Sequence, residues 1–187
     1  LISGRPKSAT FRTADVVGLD ILKNVSMTTF EKAPKDEERE IFEIPDILNI
    51  LIDSKHLGQK TKAGFYKKNE DRSIHSIDLI SGDYSPMEVV KFDCLRIAAY
   101  KQKLSHKITA LCDGNDRGSK YFWELTAKTL IYSANRIPEI SDDIVNIDNA
   151  MKWGFAWEAG PFEIWDMIGV QKSVNRMISE GKKIPKW

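Results

Sequence analysis

One sequence pattern occurs twice in this 187-residue chain, and the repeat constrains the fold more than any other feature. When the sequence is shifted so that Asp15 falls on Asp166, both copies read Phe, three variable residues, Asp, one variable residue, an apolar residue, Gly and another apolar residue. Each copy of a repeat is expected to form the same supersecondary unit, so the repeat sets the architecture. The sequence therefore predicts two tandem units.

The later copy of the pattern indicates what each unit contains. Pro161 can open a helix, because proline is tolerated in the first helical turn, and Gly169 can end that helix in a left-handed turn before a new helix starts. Asp166 lies one turn before this glycine, where its carboxylate can accept hydrogen bonds from backbone amides that open the next helix. We favour this structural role over a catalytic one for the repeated aspartate.

Apolar residues recur at helical spacing through the later half of the chain. The spacing predicts one long helix from Val90 to Leu111 and a second helix that stops before Pro138. Ser141 is expected to cap a third helix, since a serine hydroxyl can accept a hydrogen bond from the first turn. This half of the sequence is therefore predicted to be helical.

The earlier half of the chain is also predicted to be mainly helical. Pro45 and Gly58 are expected to bound one helix. The segment from Gly64 to Tyr84 is polar at its middle and bounded by glycine, which suits a small β-hairpin or an ordered linker. We predict an all-α fold of two tandem helical units, residues 1–80 and 87–187, with this hairpin between them.

The composition of the chain argues against a nucleic-acid or membrane partner and bears on the state of its cysteines. Hydrophobic residues make up 42% of the chain and charged residues 29%, as in an ordinary globular protein. The net charge of +1 gives no sign of a nucleic-acid or anionic-lipid partner, and no apolar run approaches the ~20 residues that a membrane span needs. Cys94 and Cys112 are interpreted as buried, reduced thiols rather than as a disulfide or a nucleophile, which favours the cytoplasm.

Other residues that can carry chemistry give weak signals. The three histidines are scattered, and none has a carboxylate or a cysteine at metal-ligand spacing, so no metal site is predicted. Glu158 and Glu163 flank Gly160 and Pro161, and we favour a solvated or capping role over an acid–base pair. The five aromatic residues between 153 and 165 are interpreted as core rather than as a flat acyl or adenine site.

Three stretches of the chain resemble a known family: GRPKSATFRTADVVGLD at residues 4–20, LGQKTKAGFYKK at residues 57–68 and AMKWGFAWEAGPFEIWDMIGV at residues 150–170. They are similar to the C-terminal region of L-3-hydroxyacyl-CoA dehydrogenases, above all to the long fatty-acid oxidation type, in which the helical domain occurs twice. The resemblance implies helical units like the C-terminal domain of 6-phosphogluconate dehydrogenase. By this comparison the first unit lacks its opening helix, and the second unit is a structural duplicate.

The resemblance also implies a function. In this family an N-terminal Rossmann domain binds NAD, and a histidine of that domain takes the proton of the 3-hydroxyl group of an acyl-CoA while the hydride passes to NAD. This chain has no Gly-x-Gly-x-x-Gly sequence, so we expect no cofactor-binding residue in it. The resemblance places the catalytic histidine, and the glutamate that orients it, in the Rossmann domain, so we expect no catalytic residue either. The expected identity is therefore the C-terminal portion of a β-oxidation enzyme that is inactive alone.

The resemblance implies two partners for this chain, the Rossmann domain at the N-terminal side of the same protein and an acyl-CoA substrate. It also allows a fused or associated enoyl-CoA hydratase and a homodimer. It places the loop before the first motif at the substrate cleft, with the candidate residues Pro6, Lys7, Ser8, Thr10 and Phe11. The residues expected to maintain the fold are Asp15, Gly18, Gly64, Phe65, Tyr66, Gly160, Pro161, Phe162, Asp166 and Gly169. The rival interpretation is a non-enzymatic helical docking or assembly module derived from the same family.

Overall fold

The structure is a computed structural model that describes residues 2–6 and 10–187. The described residues divide into two compact units. The first unit comprises residues 10–89, and the second comprises residues 90–187 together with residues 2–6. Helices predominate in both units, which confirms the expected mainly helical fold.

The first unit contains three α-helices, two short 3-10 turns and a small sheet. In chain order these are α1 (Thr10–Val17), α2 (Leu19–Lys32), a 3-10 turn (Arg39–Phe42), α3 (Asp46–Asp53), a second 3-10 turn (Gln59–Thr61), β1 (Tyr66–Lys68), β2 (Ile74–Ile77) and β3 (Tyr84–Pro86). The sheet is antiparallel in the order β1-β2-β3, with Lys67 opposite His75 and Ser76 opposite Ser85. The predicted hairpin is therefore two strands of a three-stranded sheet.

The core of the first unit joins its helices to this sheet. Leu19 opens α2, Leu48 and Leu51 lie on the inner face of α3, and Phe65 and Ile77 come from the sheet region. All five side chains are buried in one cluster. Because the cluster spans residues far apart in sequence, the sheet is part of the packed unit rather than a linker outside it.

The end of α3 differs from the prediction that Gly58 closes this helix. The helix ends at Asp53, and Lys55 adopts a left-handed conformation with φ of 59°. The amide of His56 donates to the carbonyl of Leu51, and the amide of Lys55 donates to the carbonyl of Ile52. This pair of bonds is a Schellman motif, which satisfies the last helical carbonyls without a glycine.

The second unit is built from six α-helices among its described residues. They are α4 (Asp93–Ala99), α5 (Leu104–Asp113), α6 (Arg117–Asn135), α7 (Ile144–Phe155), α8 (Pro161–Ile168) and α9 (Val170–Ser179). Its main core cluster centres on side chains from α5, α6, α8 and α9, among them Ile108, Leu130, Ile168 and Met177. As predicted, α6 ends before Pro138.

The predicted long helix from Val90 to Leu111 is wrong, because the chain breaks into α4 and α5 between them. Lys103 adopts an extended conformation, with φ of −81° and ψ of 138°, and therefore interrupts the helical path. Cys94 and Ala98 of α4 pack in one buried cluster with Leu111 of α5. The apolar residues that predicted one continuous helical face thus lie on two helices that pack against each other. Hydrophobic periodicity alone does not distinguish these two arrangements.

The start of α7 also differs from the prediction that Ser141 caps it. Asp143 is the capping residue, and its carboxylate accepts a hydrogen bond from the amide of Asn146 at 2.8 Å. The Ser141 hydroxyl instead donates to the carbonyl of Asp143. An aspartate at the cap adds a favourable interaction between its charge and the helix dipole, which a serine lacks.

Two further properties concern the helices and the cysteines. No described helix is both long enough and apolar enough to cross a membrane. Cys94 and Cys112 are buried free thiols, as predicted. Burial raises the pKa of both thiols, that of Cys112 to about 11.

Candidate functional site at the repeated helix corner

The two copies of the sequence repeat form the same local structure. Helices α1 and α8 each have eight residues, and they begin and end at equivalent positions of the repeat. Gly18 follows α1 with φ of 101°, and Gly169 follows α8 with φ of 86°. Helices α2 and α9 start at the very next residue. Glycine is favoured at both turns, because side-chain-bearing residues rarely adopt these angles.

Asp15 ties the corner of the first unit to its sheet. This aspartate is only 4% exposed, and its two carboxylate oxygens accept hydrogen bonds from the amides of Phe65 at 2.8 Å and Tyr66 at 2.9 Å. The ring of Phe65 packs against that of Phe11, with centroids 4.6 Å apart. The carboxylate therefore binds the amides that lead into β1.

The glycines around Phe65 make this close approach possible. A Cβ atom at Gly64 would lie 2.1 Å from Oδ1 of Asp15, and a Cβ atom at Gly58 would lie 2.3 Å from the Asp15 carbonyl oxygen. Real Cβ atoms do not approach other atoms so closely. Lys60, between the two glycines, forms an ion pair with Asp20 at 2.5 Å. The Gly-x-Lys-x-x-x-Gly-Phe-Tyr sequence, residues 58–66, thus packs closely around Asp15 at the end of α1. We call this arrangement the Asp15 seat.

A groove of about 530 Å³ lies beside this seat. We call it the basic groove, since its lining includes Arg12 of α1, Lys62 and Lys68, with Glu70 as an acidic side chain at the same groove. Asp15 also lines it, but both of its oxygens are already bound to backbone amides. The groove can therefore offer several cationic donors to an anionic ligand.

The sequence did not point to the basic groove as a site. Its three cationic side chains come from α1, from the residue after the second 3-10 turn and from β1. Cations so far apart in sequence form no local charge run, and only the Asp15 seat brings their elements together. The signal that could have found them is the Gly-x-Lys-x-x-x-Gly-Phe-Tyr motif, because the amides of its last two residues bind Asp15 and bring Lys62 and β1 to α1.

In the second unit a different aspartate holds the helix corner. Asp148 of α7 is 6% exposed and accepts hydrogen bonds from the amides of Phe162 at 2.8 Å and Glu163 at 3.1 Å. A Cβ atom at Gly160 would lie 2.4 Å from Asp148. Sequence reasoning missed Asp148, because it precedes the repeated pattern by more than two helical turns.

Glu163 has a capping role, as favoured from the sequence. Its carboxylate accepts a hydrogen bond from the amide of Gly160 at 2.8 Å and one from Lys152 at 2.5 Å. The Lys152 hydrogen bond is the main cause that lowers the pKa of Glu163. Glu158 is exposed. Glu163 is therefore engaged in capping the helix and in the contact with Lys152 rather than in an acid–base pair with Glu158.

Asp166, the counterpart of Asp15, has no such partner. Its carboxylate is exposed, and no residue in the described part of the chain donates a hydrogen bond to it or forms an ion pair with it. The prediction that it binds the amides opening α9 is wrong, since Gly169 precedes that helix without any side-chain cap. Equivalent aspartates on equivalent helices thus have opposite surroundings.

The proposed substrate-cleft residues are distributed over both units. Lys7 and Ser8 lie outside the described residues. Pro6 groups with the second unit, whereas Thr10 and Phe11 open α1 of the first unit. Both Thr10 and Phe11 are exposed, Phe11 to 41%.

The aromatic group near the second corner is only partly core. Phe162 and Trp165 are buried, as predicted. Trp153 and Phe155 are 80% and 64% exposed, so the prediction is wrong for them. They lie in the last turn of α7, which ends in a left-handed residue at position 156 and turns away from the core. Trp157 is half-buried beneath the guanidinium group of Arg5, 4.2 Å from the ring centre.

No metal centre is formed by the described residues, where no cluster of three or more His, Cys, Asp or Glu side chains could hold an ion. The described residues also do not fit NAD. A dinucleotide-binding fold needs parallel strands joined by a helix, with a glycine-rich turn between strand and helix. The only sheet in the described part of the chain is antiparallel.

Comparison with known proteins identifies the family. The family model described as "3-hydroxyacyl-CoA dehydrogenase, C-terminal domain" matches residues 3–68 of this chain. A "Probable 3-hydroxyacyl-CoA dehydrogenase" of Bacillus subtilis (strain 168) is 43% identical over 184 residues, which are 98% of this chain and 23% of that protein. A protein of the same name from Deinococcus radiodurans is 41% identical over 68 residues, 36% of this chain and 19% of that protein.

A more distant relative carries a different name. The "Putative fatty acid oxidation complex trifunctional enzyme" of Rickettsia prowazekii (strain Madrid E) is 26% identical over 179 residues, 94% of this chain and 23% of that protein. No solved structure matches the chain significantly. The chain thus spans about a quarter of the length of the Bacillus and Rickettsia relatives. These matches show that the chain belongs to the 3-hydroxyacyl-CoA dehydrogenase family and contains its C-terminal domain.

Proposed function

We propose that this chain is the C-terminal portion of an NAD-dependent 3-hydroxyacyl-CoA dehydrogenase of fatty-acid β-oxidation, which converts 3-hydroxyacyl-CoA to 3-ketoacyl-CoA. The observation that carries the proposal is the 43% identity to the Bacillus relative, which extends over 98% of this chain. Identity at that level along both units favours a retained role in the same enzyme over a separate assembly module.

The chain's own contribution is to shape and charge one wall of the acyl-CoA cleft. Residues Pro6, Lys7, Ser8, Thr10 and Phe11 are the proposed cleft residues. The hydrogen bonds from Phe65 and Tyr66 to Asp15 hold α1 in place, so that Thr10 and Phe11 are presented from a rigid helix start. Rigid support of this kind lowers the cost of ordering a substrate when it binds.

The basic groove is the proposed site for the phosphate groups of coenzyme A. Arg12, Lys62 and Lys68 line it, and guanidinium and ammonium groups are the side chains that bind phosphate most strongly. Binding of these remote phosphates would position the acyl end for chemistry carried out elsewhere in the enzyme.

The redox step belongs to an N-terminal Rossmann domain, which would bind NAD and supply the catalytic histidine. This chain would then be inactive alone. The second unit is the proposed surface for contact with that domain or with a second subunit. The name of the Rickettsia relative, a "trifunctional enzyme", supports further fused domains, and a fused or associated enoyl-CoA hydratase is the one we propose from the family resemblance. The buried free thiols fit the reducing cytoplasm.

The proposed role of the basic groove can be tested in the full-length enzyme by steady-state kinetics. We expect Arg12→Ala and Lys62→Ala each to raise the KM for 3-hydroxyacyl-CoA about tenfold, the effect of losing one charge-assisted contact of roughly 1.5 kcal/mol, with kcat nearly unchanged. Lys35→Ala, which removes an exposed lysine outside the groove, is the matched control. Unchanged KM in both groove variants would contradict the proposal.

A further inference from the structure

A second pocket of the first unit differs from the basic groove in its chemistry. It has a volume of about 180 Å³, and we call it the Phe11 pocket. The basic groove has three cationic side chains and the two carboxylates of Asp15 and Glu70 in its lining, and so carries a net positive charge. The Phe11 pocket has no charged side chain, and its lining comprises Phe11, Phe65, Tyr66, Ser76, Ile77 and Leu79.

The Phe11 pocket and the basic groove are neighbours on one face of the sheet. Tyr66 lines both of them. In the register of β1 and β2, Tyr66 lies opposite Ser76, and two residues further on Lys68 lies opposite Ile74. Alternate residues of a strand point to the same face of a sheet, and two residues span roughly 7 Å. The uncharged pocket is therefore about one strand pair away from the lysine of the groove.

The accessible surface of the Phe11 pocket is an aromatic ring with a polar group near it. The Phe11 side chain is 41% exposed, and its ring packs against the buried ring of Phe65, with centroids 4.6 Å apart. Leu79 is 49% exposed and adds an apolar wall. The Ser76 hydroxyl has no hydrogen-bond partner among the described residues. The pocket can therefore receive a flat, uncharged ring that carries polar atoms at its edge.

We infer that the Phe11 pocket binds the adenine ring of coenzyme A while the basic groove binds the phosphates of the same nucleotide. The inference rests on the proposed function of the basic groove. In coenzyme A the adenine ring and the 3′-phosphate are attached to one ribose, so a site for this nucleotide must hold a neutral ring and an anionic group side by side. Stacking on an aromatic side chain is a general way to bind a base, because every base has a π-face.

The acyl chain of the substrate fits this pocket less well than the adenine ring does. The acyl chain is separated from the phosphates by the whole pantetheine arm, whereas the pocket and the groove share a lining residue. The pocket is also smaller than the ~300–1,000 Å³ of a usual ligand site. Its volume of about 180 Å³ suits one ring of a ligand whose charged groups occupy the adjoining groove of about 530 Å³.

The inference can be tested in the full-length enzyme with two substrates. One is 3-hydroxyacyl-CoA, and the other is the matching 3-hydroxyacyl-pantetheine, which lacks the nucleotide. Phe11→Ala removes the ring on which the base stacks, and Leu79→Ala shortens an exposed wall of the pocket. Val16→Ala is the matched control, because it shortens an exposed apolar side chain of α1 that lines neither the pocket nor the groove.

We expect Phe11→Ala to raise the KM for 3-hydroxyacyl-CoA at least about fivefold, as for the loss of one base–aromatic stack, and Leu79→Ala to raise it by a smaller factor. Neither variant should change the KM for 3-hydroxyacyl-pantetheine, and Val16→Ala should behave like the wild type with both substrates. An equal rise for both substrates, or an unchanged KM for 3-hydroxyacyl-CoA in Phe11→Ala, would overturn the inference. If Arg12→Ala still raises the KM for 3-hydroxyacyl-CoA in that case, the proposed function of the basic groove stands without the adenine site.

Discussion

The Asp15 carboxylate joins α1 to the start of the sheet of the first unit by two hydrogen bonds, so its removal gives a sharp stability prediction. In Asp15→Ala, the buried amide of Phe65 and the partly buried amide of Tyr66 lose their acceptors. A buried donor left unsatisfied costs roughly 1–3 kcal/mol, and the partly buried one regains some of its energy from water. We therefore predict a loss of roughly 2–4 kcal/mol in the free energy of unfolding.

The repeat supplies a matched control for this variant. Asp166→Ala makes the same substitution at the equivalent helix position, but its carboxylate is exposed and unpaired among the described residues. Substitution at such a surface position is expected to change stability by no more than about 0.5 kcal/mol. The Asp15→Asn variant keeps one acceptor oxygen and should fall between the two.

The measurement is amide hydrogen exchange at Phe65 and Tyr66, combined with urea unfolding followed by circular dichroism. Tryptophan fluorescence is unsuitable, because all five tryptophans lie between residues 123 and 187, in the second unit. We expect both amides to exchange much faster in Asp15→Ala and to be unchanged in Asp166→Ala. Equal stability of the two alanine variants would refute the role assigned to Asp15.

Three further predictions concern other contacts. Gly64→Ala should destabilise the protein by roughly 1–3 kcal/mol in urea unfolding, because its Cβ would lie 2.1 Å from the Asp15 carboxylate. Gly154→Ala, at an open position of α7, should instead stabilise it by roughly 0.5–1 kcal/mol, and the opposite order would contradict the packing described. Cys94 and Cys112, whose pKa values burial raises, should react with a thiol reagent at mildly alkaline pH only after unfolding, so prompt reaction of the folded chain would be evidence against their burial. Hydrogen bonds from the amides of Cys94 and Ser119 lower the pKa of Asp116 from 3.8 to about 2. The stabilising effect of the ionised Asp116 carboxylate is therefore complete above pH 3.8 and is lost as the pH falls through about 2. The difference in unfolding free energy between wild type and Asp116→Asn should shrink over that pH range. A constant difference would contradict this linkage.

The repeat made the helix corners predictable, because each corner is specified by residues that lie close together in sequence. Phe, Asp and Gly at fixed spacing predict a helix, a left-handed turn and a new helix, and α1 and α8 show them at equivalent positions. Gly18 and Gly169 both have positive φ. Local backbone requirements of this kind are visible without any knowledge of the tertiary structure.

The ends of helices were less predictable where the helix ends without a glycine or proline. The Schellman motif at Lys55 ends α3 without a glycine, and Lys103 interrupts a stripe that periodicity presents as continuous. In both places the sequence has an ordinary lysine. The conformation is selected by packing of the following segment, which a local pattern does not encode.

The functional features were the least predictable, because they depend on contacts between distant residues. The aspartate of the motif was recognised as structural, but its partners lie some fifty residues away at Phe65 and Tyr66. Its counterpart Asp166 has the same local sequence signals and lacks a partner in the described chain. Only the structure separates the two cases.

The central claim is that this chain shapes the acyl-CoA cleft of a dehydrogenase while the redox chemistry lies in another domain. The most direct test is the reduction of NAD by 3-hydroxyacyl-CoA, followed by nicotinamide absorbance. The purified 187-residue chain is compared with the full-length protein that contains it. The account predicts turnover by the full-length protein and none by the chain alone. Turnover by the 187-residue chain, or an inactive full-length protein, would contradict it.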